Sequence, residues 1–304
     1  MRKASITIIL LVLFSVIGVS QQLPHYSQYM FNPFLINPAV AGTMKNTQAQ
    51  IGFRGQWVGF NDAPQTGIAS CQGLIVDNLG VGGILFRDKT GPISRTGMLL
   101  SCAYHIQVNK DAYLSFGLEG IMYQHVLNYD ELTLDLPNDQ LVTSGLRKDM
   151  LYDSNSGIYL YSDKYFAGIS ISQMIQSKID MSEINSGLNK LARHYFFHFG
   201  YRLEVNEEFD IEPSVLYKAI ASAPSQIDIN TKVIYKKLIW LGLSYRQKES
   251  AVLMLGLQKD KYLIGYSYDI TLSNIRKYSS GSHEIMLGMN IMSDHGKHTK
   301  SSIE

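Results

Sequence analysis

Few residues of this chain have types and spacings that could support catalysis or metal binding. His283 and Glu284 are adjacent, and a histidine beside a carboxylate occurs in acid–base and metal sites. Both lie in a segment of alternating apolar and polar residues, and neighbouring residues of a strand point to opposite faces of a sheet. The two side chains therefore cannot readily share one site. We expect no catalytic residue and no enzymatic activity.

The glycines and cysteines offer no chemical site either. Gly80, Gly82 and Gly83 fall within a strand pattern, where glycine permits barrel curvature more readily than it cradles a phosphate. Cys71 and Cys102 are the only cysteines, and a third predicted strand separates the two strands that contain them. A disulfide is possible in an oxidising compartment, but this register argues against it. Without suitably spaced histidines we predict no metal site and no cofactor.

The elements that must position these residues are β-strands. The chain contains 19 Tyr, 12 Phe and 25 Gly with only 17% charged residues, which favours an all-β protein. Fourteen blocks alternate between apolar and small or polar residues, most cleanly around 195–203, 262–270 and 285–291. The predicted strands are 48–59, 66–76, 79–88, 94–108, 111–125, 154–162, 165–173, 192–204, 209–218, 225–235, 238–247, 251–258, 261–271 and 282–293.

The lengths of the connections favour a membrane barrel over a soluble sandwich. Connections after even-numbered strands are tight, whereas those after odd-numbered strands are mostly longer, the longest at about 126–153 and 174–191. Outer-membrane barrels have short periplasmic turns, long external loops and an even number of strands. A soluble sandwich is not expected to alternate short and long connections in this way. We therefore predict a transmembrane antiparallel β-barrel of about 14 strands, with tyrosines near strand ends in the interfacial girdles.

Seven charged residues fall on strand faces that we assign to the barrel lumen. A charge on the lipid face costs up to roughly 2–4 kcal/mol at the bilayer midplane, so the lumen is where such charges persist. Three arginines nearly balance four carboxylates, and we expect them to pair with each other or with the N-terminal segment and fill the barrel. Individually solvated charges are the alternative. The residues are Arg54, Glu119, Arg202, Asp228, Arg246, Asp269 and Glu284.

The ends of the chain predict export to the outer membrane of a Gram-negative bacterium. Residues 1–20 combine basic residues, an apolar run too short to span a bilayer and a small-residue end, which is typical of a cleaved signal peptide. A proline-rich, extended N-terminal segment (21–47), for which the lumen is one candidate location, precedes the barrel (48–293), and a polar tail (294–304) follows it. A net charge of +1 gives no field for binding nucleic acid.

Several strings resemble the PorP/SprF family of type IX secretion system outer-membrane proteins of Bacteroidota. They include the opening YSQYMFNP, continued by INPA, then RGQW, LGVGG, GLSYR, GYSYD and SHEI, in this order across about 260 residues. The positions that carry the resemblance are Tyr26, Ser27, Gln28, Tyr29, Asn32, Pro33, Asn37, Pro38, Arg54, Gln56, Trp57, Gly80, Gly82, Arg246, Asp269, His283 and Glu284.

The resemblance implies a non-enzymatic role in protein secretion and gliding motility. Its implied partners are cargo with a C-terminal sorting domain, such as gliding adhesins, and periplasmic ring or gliding components of the machinery. We expect the outer loops to form the dock for cargo, the first of them acidic through Asp130, Glu131, Asp135, Asp139 and Asp149. The competing hypotheses are an outer-membrane channel or transporter for small molecules and, less well supported, an outer-membrane lipase without a recognisable nucleophile.

Overall fold

A computed structural model describes residues 26–44, 46–132, 145–179, 190–220 and 223–291. The predicted signal peptide and C-terminal tail lie outside these residues. Fourteen strands form the sheet: β1 Thr47–Gly55, β2 Gln65–Val76, β3 Leu79–Thr90, β4 Ile93–Gln107, β5 Ala112–Asn128, β6 Leu146–Ser162, β7 Tyr165–Ser172, β8 His194–Tyr201, β9 Phe209–Ile220, β10 Ala223–Tyr235, β11 Ile239–Arg246, β12 Ser250–Lys259, β13 Tyr262–Thr271 and β14 Ser282–Ile291. A two-residue segment, Leu203–Glu204, continues β8 beyond Arg202 and pairs with the same neighbour, β9.

The strands form one closed antiparallel barrel. Each strand pairs with the strands before and after it in sequence, and β14 pairs with β1 from Ile291 opposite Thr47 to His283 opposite Gly55. Closure gives the end strands the hydrogen bonds that lipid cannot supply. The predicted fold, a 14-strand antiparallel barrel, is therefore confirmed.

The two faces of the barrel separate as the alternation predicts. In β8, Phe197, Phe199 and Tyr201 are exposed on the outer face, whereas His198 and Gly200 are buried. In β14, His283 is exposed and Glu284 is buried, so the two members of this pair point to opposite sides of the wall. Cys71 and Cys102 are free thiols, and both are exposed on the outer face.

The connections define two ends of the barrel. The end that holds the connections after even-numbered strands is called here the turn end, and the other is called the loop end. By the rule for outer-membrane barrels, the turn end faces the periplasm.

Several strands begin or end at residues other than those predicted from the sequence. β5 and β6 have 17 residues each, more than the 9–11 that span a bilayer, so both project beyond the membrane at the loop end. The predicted loop 126–153 therefore shrinks to 129–145, and Asp149 belongs to β6. Asp135 and Asp139 lie outside the described residues. β1 ends at Gly55, four residues earlier than predicted.

The segment before β1 is not extended, contrary to the prediction. It forms three short 3-10 turns, Gln28–Met30, Pro33–Leu35 and Pro38–Val40, and two of these begin at a proline. Proline fixes φ near the helical value and lacks the N–H that the first turn would leave unpaired, which is why it starts turns here. In the part of the chain that the structure describes, no helix is both long and apolar enough to cross a membrane.

Candidate functional site

Residues 26–44, called here the plug, occupy the barrel lumen. They contact inner faces of the wall, for example at Ser70, His105 and Ser115. Plug residues such as Gln28 and Phe34 are at most 1% exposed. The plug runs from the loop-end half of the lumen, at Ser27, to the turn end, where β1 begins. The candidate site is therefore the interface between the plug and the barrel wall.

The start of the plug is held by a group of buried charges that we call the anchor cluster: Ser27, Arg54, Asp228, Arg246, Asp269 and Glu284. The backbone N–H groups of Ser27 and Gln28 donate to the two carboxylate oxygens of Glu284, at 2.8 and 3.3 Å. The Ser27 hydroxyl lies 2.8 Å from Asp269 Oδ2 and 2.9 Å from Arg54 Nη1. A single serine thus connects the plug to charges on strands β1, β13 and β14.

Two arginines pair with the three carboxylates of the anchor cluster. Arg54 forms ion pairs with Asp269 at 2.7 Å and with Glu284 at 3.2 Å. Arg246 pairs with Asp228 at 3.4 Å and with Asp269 at 3.6 Å, and it is the largest of the side chains less than 2% exposed among the described residues. A buried charge is tolerated only when it is paired and hydrogen-bonded. The reciprocal pairing explains why the chain can bury these five ionised groups together.

A lysine and a tyrosine both contact Asp228 of the anchor cluster. Lys218 Nζ lies 3.0 Å from Asp228 Oδ2 and 5.6 Å from the centre of the Tyr29 ring. The Tyr29 hydroxyl is 3.2 Å from Asp228 Oδ2 and also 3.2 Å from Asn230 Oδ1, and it can donate its one proton to either. Tyr29 is thereby fixed at both its ring and its hydroxyl.

A second ion-pair group binds the middle of the plug nearer the turn end. Phe31 stacks on Trp240 with 3.3 Å between ring centres, and Lys232 Nζ lies 5.2 Å from the Phe31 ring centre. Lys232 pairs with Glu212 at 2.5 Å, and Arg202 pairs with the other oxygen of Glu212 at 2.8 Å. The Arg202 side chain is 40% exposed, so this residue belongs to the rim of the lumen and not to its interior.

Wall glycines make room for the last part of the plug. A Cβ atom at Gly82 would lie 2.5 Å from Cζ of Phe34, and one at Gly80 would lie 2.0 Å from the Ala41 carbonyl oxygen. That carbonyl also meets His105 Nε2 at 2.9 Å. These glycines therefore allow close approach of the plug, a role that the prediction of barrel curvature missed.

Some of the other residues predicted from the sequence lie inside the barrel, and some lie away from the plug. Glu119 is buried and bonded by Asn155 Nδ2 at 2.6 Å and by the Ser101 hydroxyl at 2.5 Å, away from the anchor cluster. Asn32 donates to Ser70, and Asn37 accepts from the Ala39 N–H. Three predicted positions lie away from the plug: Gln56 and Trp57 in the connection after β1, and His283 on the outer face.

Sequence reasoning missed several residues of the interface. Lys218, Lys232, Glu212 and Glu249 are parts of the ion-pair groups, yet they were assigned to no site. All except Glu249 lie within predicted strands, and the alternation could have placed Lys218 and Lys232 on the inner face. Their ion-pair partners could not be predicted, because one sequence does not reveal which residues lie opposite each other on neighbouring strands.

A cavity of about 360 Å³ lies on the loop-end side of the plug. The plug residues Leu35 and Ile36 form part of its lining, together with Ile84, Leu99 and Ile121 of the wall. The plug thus separates this cavity from the turn end. Within the described residues no group of three or more His, Cys, Asp or Glu side chains is arranged to hold a metal ion.

The comparisons with known proteins connect this site to a family. Residues 18–289, which include the whole plug and almost all of the barrel, match the type IX secretion system membrane protein family PorP/SprF. The chain belongs to the PorP/SprF family. The plug and the anchor cluster are therefore features of a PorP/SprF protein, and the family assignment with the closed barrel places it in the outer membrane.

This PorP/SprF protein is similar to several solved structures at low sequence identity. The CymD monoaromatic hydrocarbon channel is 12% identical, with a TM-score of 0.50, and the match covers 91% of this chain and 96% of that one. The Ralstonia pickettii toluene transporter TbuX is 11% identical, with a TM-score of 0.49 over 85% and 93%. A Pseudomonas aeruginosa FadL homologue is 11% identical, with a TM-score of 0.47 over 90% and 96%. No curated protein matches the chain significantly.

Proposed function

We propose that this PorP/SprF barrel docks or anchors a specific secreted cargo at its outer face, and does not pass that cargo through its lumen. The single observation that carries the proposal is the plug, which fills the lumen between the anchor cluster and the turn end. A lumen occupied by the protein's own chain leaves the loop end as the surface available to a secreted partner. The proposed role is non-enzymatic.

The proposed cargo is a protein with a C-terminal sorting domain, such as a gliding adhesin. The proposed dock includes the projecting ends of β5 and β6 and the loop between them. Asp130 Oδ1 accepts from the Gly145 N–H at 3.0 Å, and Glu131 pairs with Lys89 of β3 at 3.7 Å. These contacts hold the two ends of the loop at the barrel. On the periplasmic side, the proposed partners are ring or gliding components, which would meet the short turns.

The test is surface display of the cognate cargo by cells that carry a loop variant. In one variant, residues 133–144 are replaced by a short Gly-Ser linker, which leaves β5 and β6 complete. A second variant keeps the length and composition of the loop but carries the same residues in scrambled order. We expect both variants to assemble as heat-modifiable barrels and both to lose display. Normal display by both would exclude this loop as the dock.

A pull-down from solubilised outer membranes tests the partners directly. Recovery of a sorting-domain cargo, or of periplasmic ring components, supports the proposal and names the partner. The second candidate function is a channel or transporter for small molecules, which the cavity beside the plug favours. Steady conductance of the wild-type protein in planar bilayers, with no protein partner recovered, would favour that candidate.

A further inference from the structure

The cavity on the loop-end side of the plug contains a polar group whose role the proposed function does not explain. His194 of β8 lines this cavity and is 4% exposed. The Ala192 backbone lies close enough to interact with one ring nitrogen, but neither nitrogen makes a hydrogen bond of full geometry to the described residues, so at least one of them has no partner there. An unpartnered buried polar group costs free energy, and native proteins seldom retain one without a water, ion or ligand to bind it.

Most of the surface that lines the cavity is apolar, although polar side chains also contribute, among them Asn155 and Gln226, whose amides are bonded to Glu119 and Glu249. Ile84, Leu99 and Ile121 of the wall and Leu35 and Ile36 of the plug surround the space, which at about 360 Å³ is within the range of small-molecule sites. Such sites combine an apolar lining with a few polar groups that orient the ligand. The lining therefore fits an apolar body, and His194 is the group that would orient it.

The charges around the cavity indicate that the ligand is uncharged. Lys218 already pairs with Asp228, and Glu249 pairs with Arg246 at 3.3 Å. Arg95 is also engaged, and Lys248 is exposed to water at the mouth. A charged ligand would enter a partly desolvated space in which the buried charges already have partners.

We propose that this cavity is a binding site for a small uncharged amphipathic molecule, an apolar body of about ten heavy atoms that carries one hydroxyl group. A neutral imidazole has one N–H donor and one acceptor nitrogen, and a hydroxyl can accept from the N–H or donate to the unprotonated nitrogen. The bound molecule rests on the plug and is held there without passing to the periplasm. This site is independent of cargo docking and persists if the docking proposal fails.

The test uses the full chain in amphipol, so that no detergent competes for the cavity, and isothermal titration calorimetry with three probes. We expect 4-propylphenol to bind the wild-type protein and His194→Phe to weaken it about tenfold, the size of one buried hydrogen bond. Propylbenzene, which lacks the hydroxyl, should bind the wild type and His194→Phe equally. Negatively charged 4-propylbenzoate should bind the wild type at least tenfold more weakly than the phenol.

Two variants separate the cavity from general effects on the barrel. Leu99→Trp fills the cavity and should abolish binding of both uncharged probes. His198→Phe removes another buried histidine of β8, which packs against Tyr159 and Phe166 and does not line the cavity, so it should leave the affinities unchanged. Each variant must first show the heat-modifiable mobility of a folded barrel. Absence of phenol binding to the wild type, or affinity unchanged by both His194→Phe and Leu99→Trp, would overturn the proposal.

Discussion

The backbone N–H of Ser27 donates a 2.8 Å hydrogen bond to Oε2 of Glu284, although 257 positions separate the two residues in the chain. The same oxygen of Glu284 lies 3.2 Å from Nη1 of Arg54. One carboxylate on the last strand therefore binds both the plug and the first strand. The stability of the barrel and the position of the plug depend on the same group.

Glu284→Gln should destabilise the protein strongly. The substitution leaves the Arg54 guanidinium buried with one carboxylate partner fewer, and removing one partner of a buried ion pair typically costs about 3–5 kcal/mol. The free energy of unfolding in urea, followed by loss of heat-modifiable mobility, measures the effect. The control is Lys236→Ala, which breaks the exposed Lys236–Glu208 pair and should change the free energy of unfolding far less. Equal effects of the two substitutions would contradict a special role for Glu284.

Gly82→Leu should displace the plug and open the barrel. Even a Cβ atom at this position would lie 2.5 Å from Phe34, so the plug must shift while the strand itself is kept. We expect low conductance from the wild-type protein in planar bilayers and a clear increase from the variant. Gly120→Leu is the matched control, because a Cβ there meets nothing within 4 Å. A large steady conductance of the wild type would show that the plug does not seal the lumen.

The orientation of the barrel can be tested with a membrane-impermeant maleimide on intact cells. Tyr278, in the loop-end connection before β14, is 70% exposed, and Tyr278→Cys should be labelled. Asp163→Cys, in the turn between β6 and β7, should be labelled only after the outer membrane is permeabilised. The native Cys71 and Cys102 face lipid and should react only in the denatured protein. If Asp163→Cys but not Tyr278→Cys were labelled on intact cells, the barrel would have the opposite orientation in the membrane.

Glu249 contributes stability to this barrel that is lost at low pH. Burial alone would raise the pKa of this carboxyl, but Arg246, Gln226 and Lys218 outweigh it and lower the pKa below the ordinary value. A carboxyl with a lowered pKa stabilises the folded state above its unfolded pKa, and this contribution is lost as the pH falls through its folded pKa. The unfolding free energy should therefore fall below about pH 4 more steeply in the wild type than in Glu249→Gln. Parallel pH profiles would exclude this contribution.

The alternation of residues predicted the strands because lipid and lumen impose opposite polarity on successive side chains, and the parity of the connection lengths then distinguished a membrane barrel from a sandwich. The same rule failed at β6, where Leu146–Leu151 contains Arg147, Lys148 and Asp149 and was assigned to a loop. Strands that project beyond the membrane meet water on their outer face, so the apolar periodicity that reveals a strand disappears there.

The interior of the barrel was only partly predictable. Arg54, Asp269 and Glu284 could be assigned to the lumen, since a charge on the lipid face is costly. Their common partner Ser27 could not be inferred, because the fold of residues 26–44 depends on tertiary contacts and the segment has no periodicity of its own. The role of Gly80 and Gly82 could not be predicted for the same reason. The atoms that approach these glycines belong to the plug, so the sequence of the strand does not reveal them.

Because Arg54 belongs to the first strand and Glu284 to the last, the docking site for Ser27 does not exist in a nascent chain that lacks its C-terminal strand. Ser27 can reach this site only after β14 has paired with β1, so this contact of the plug depends on closure of the barrel and on residues distant in sequence. A barrel that stalls before closure keeps its N-terminal segment untied, and an untied terminus is readily cleaved by proteases. The hydrogen bonds of the buried serine thereby couple closure of the barrel to the tying down of the chain that fills it.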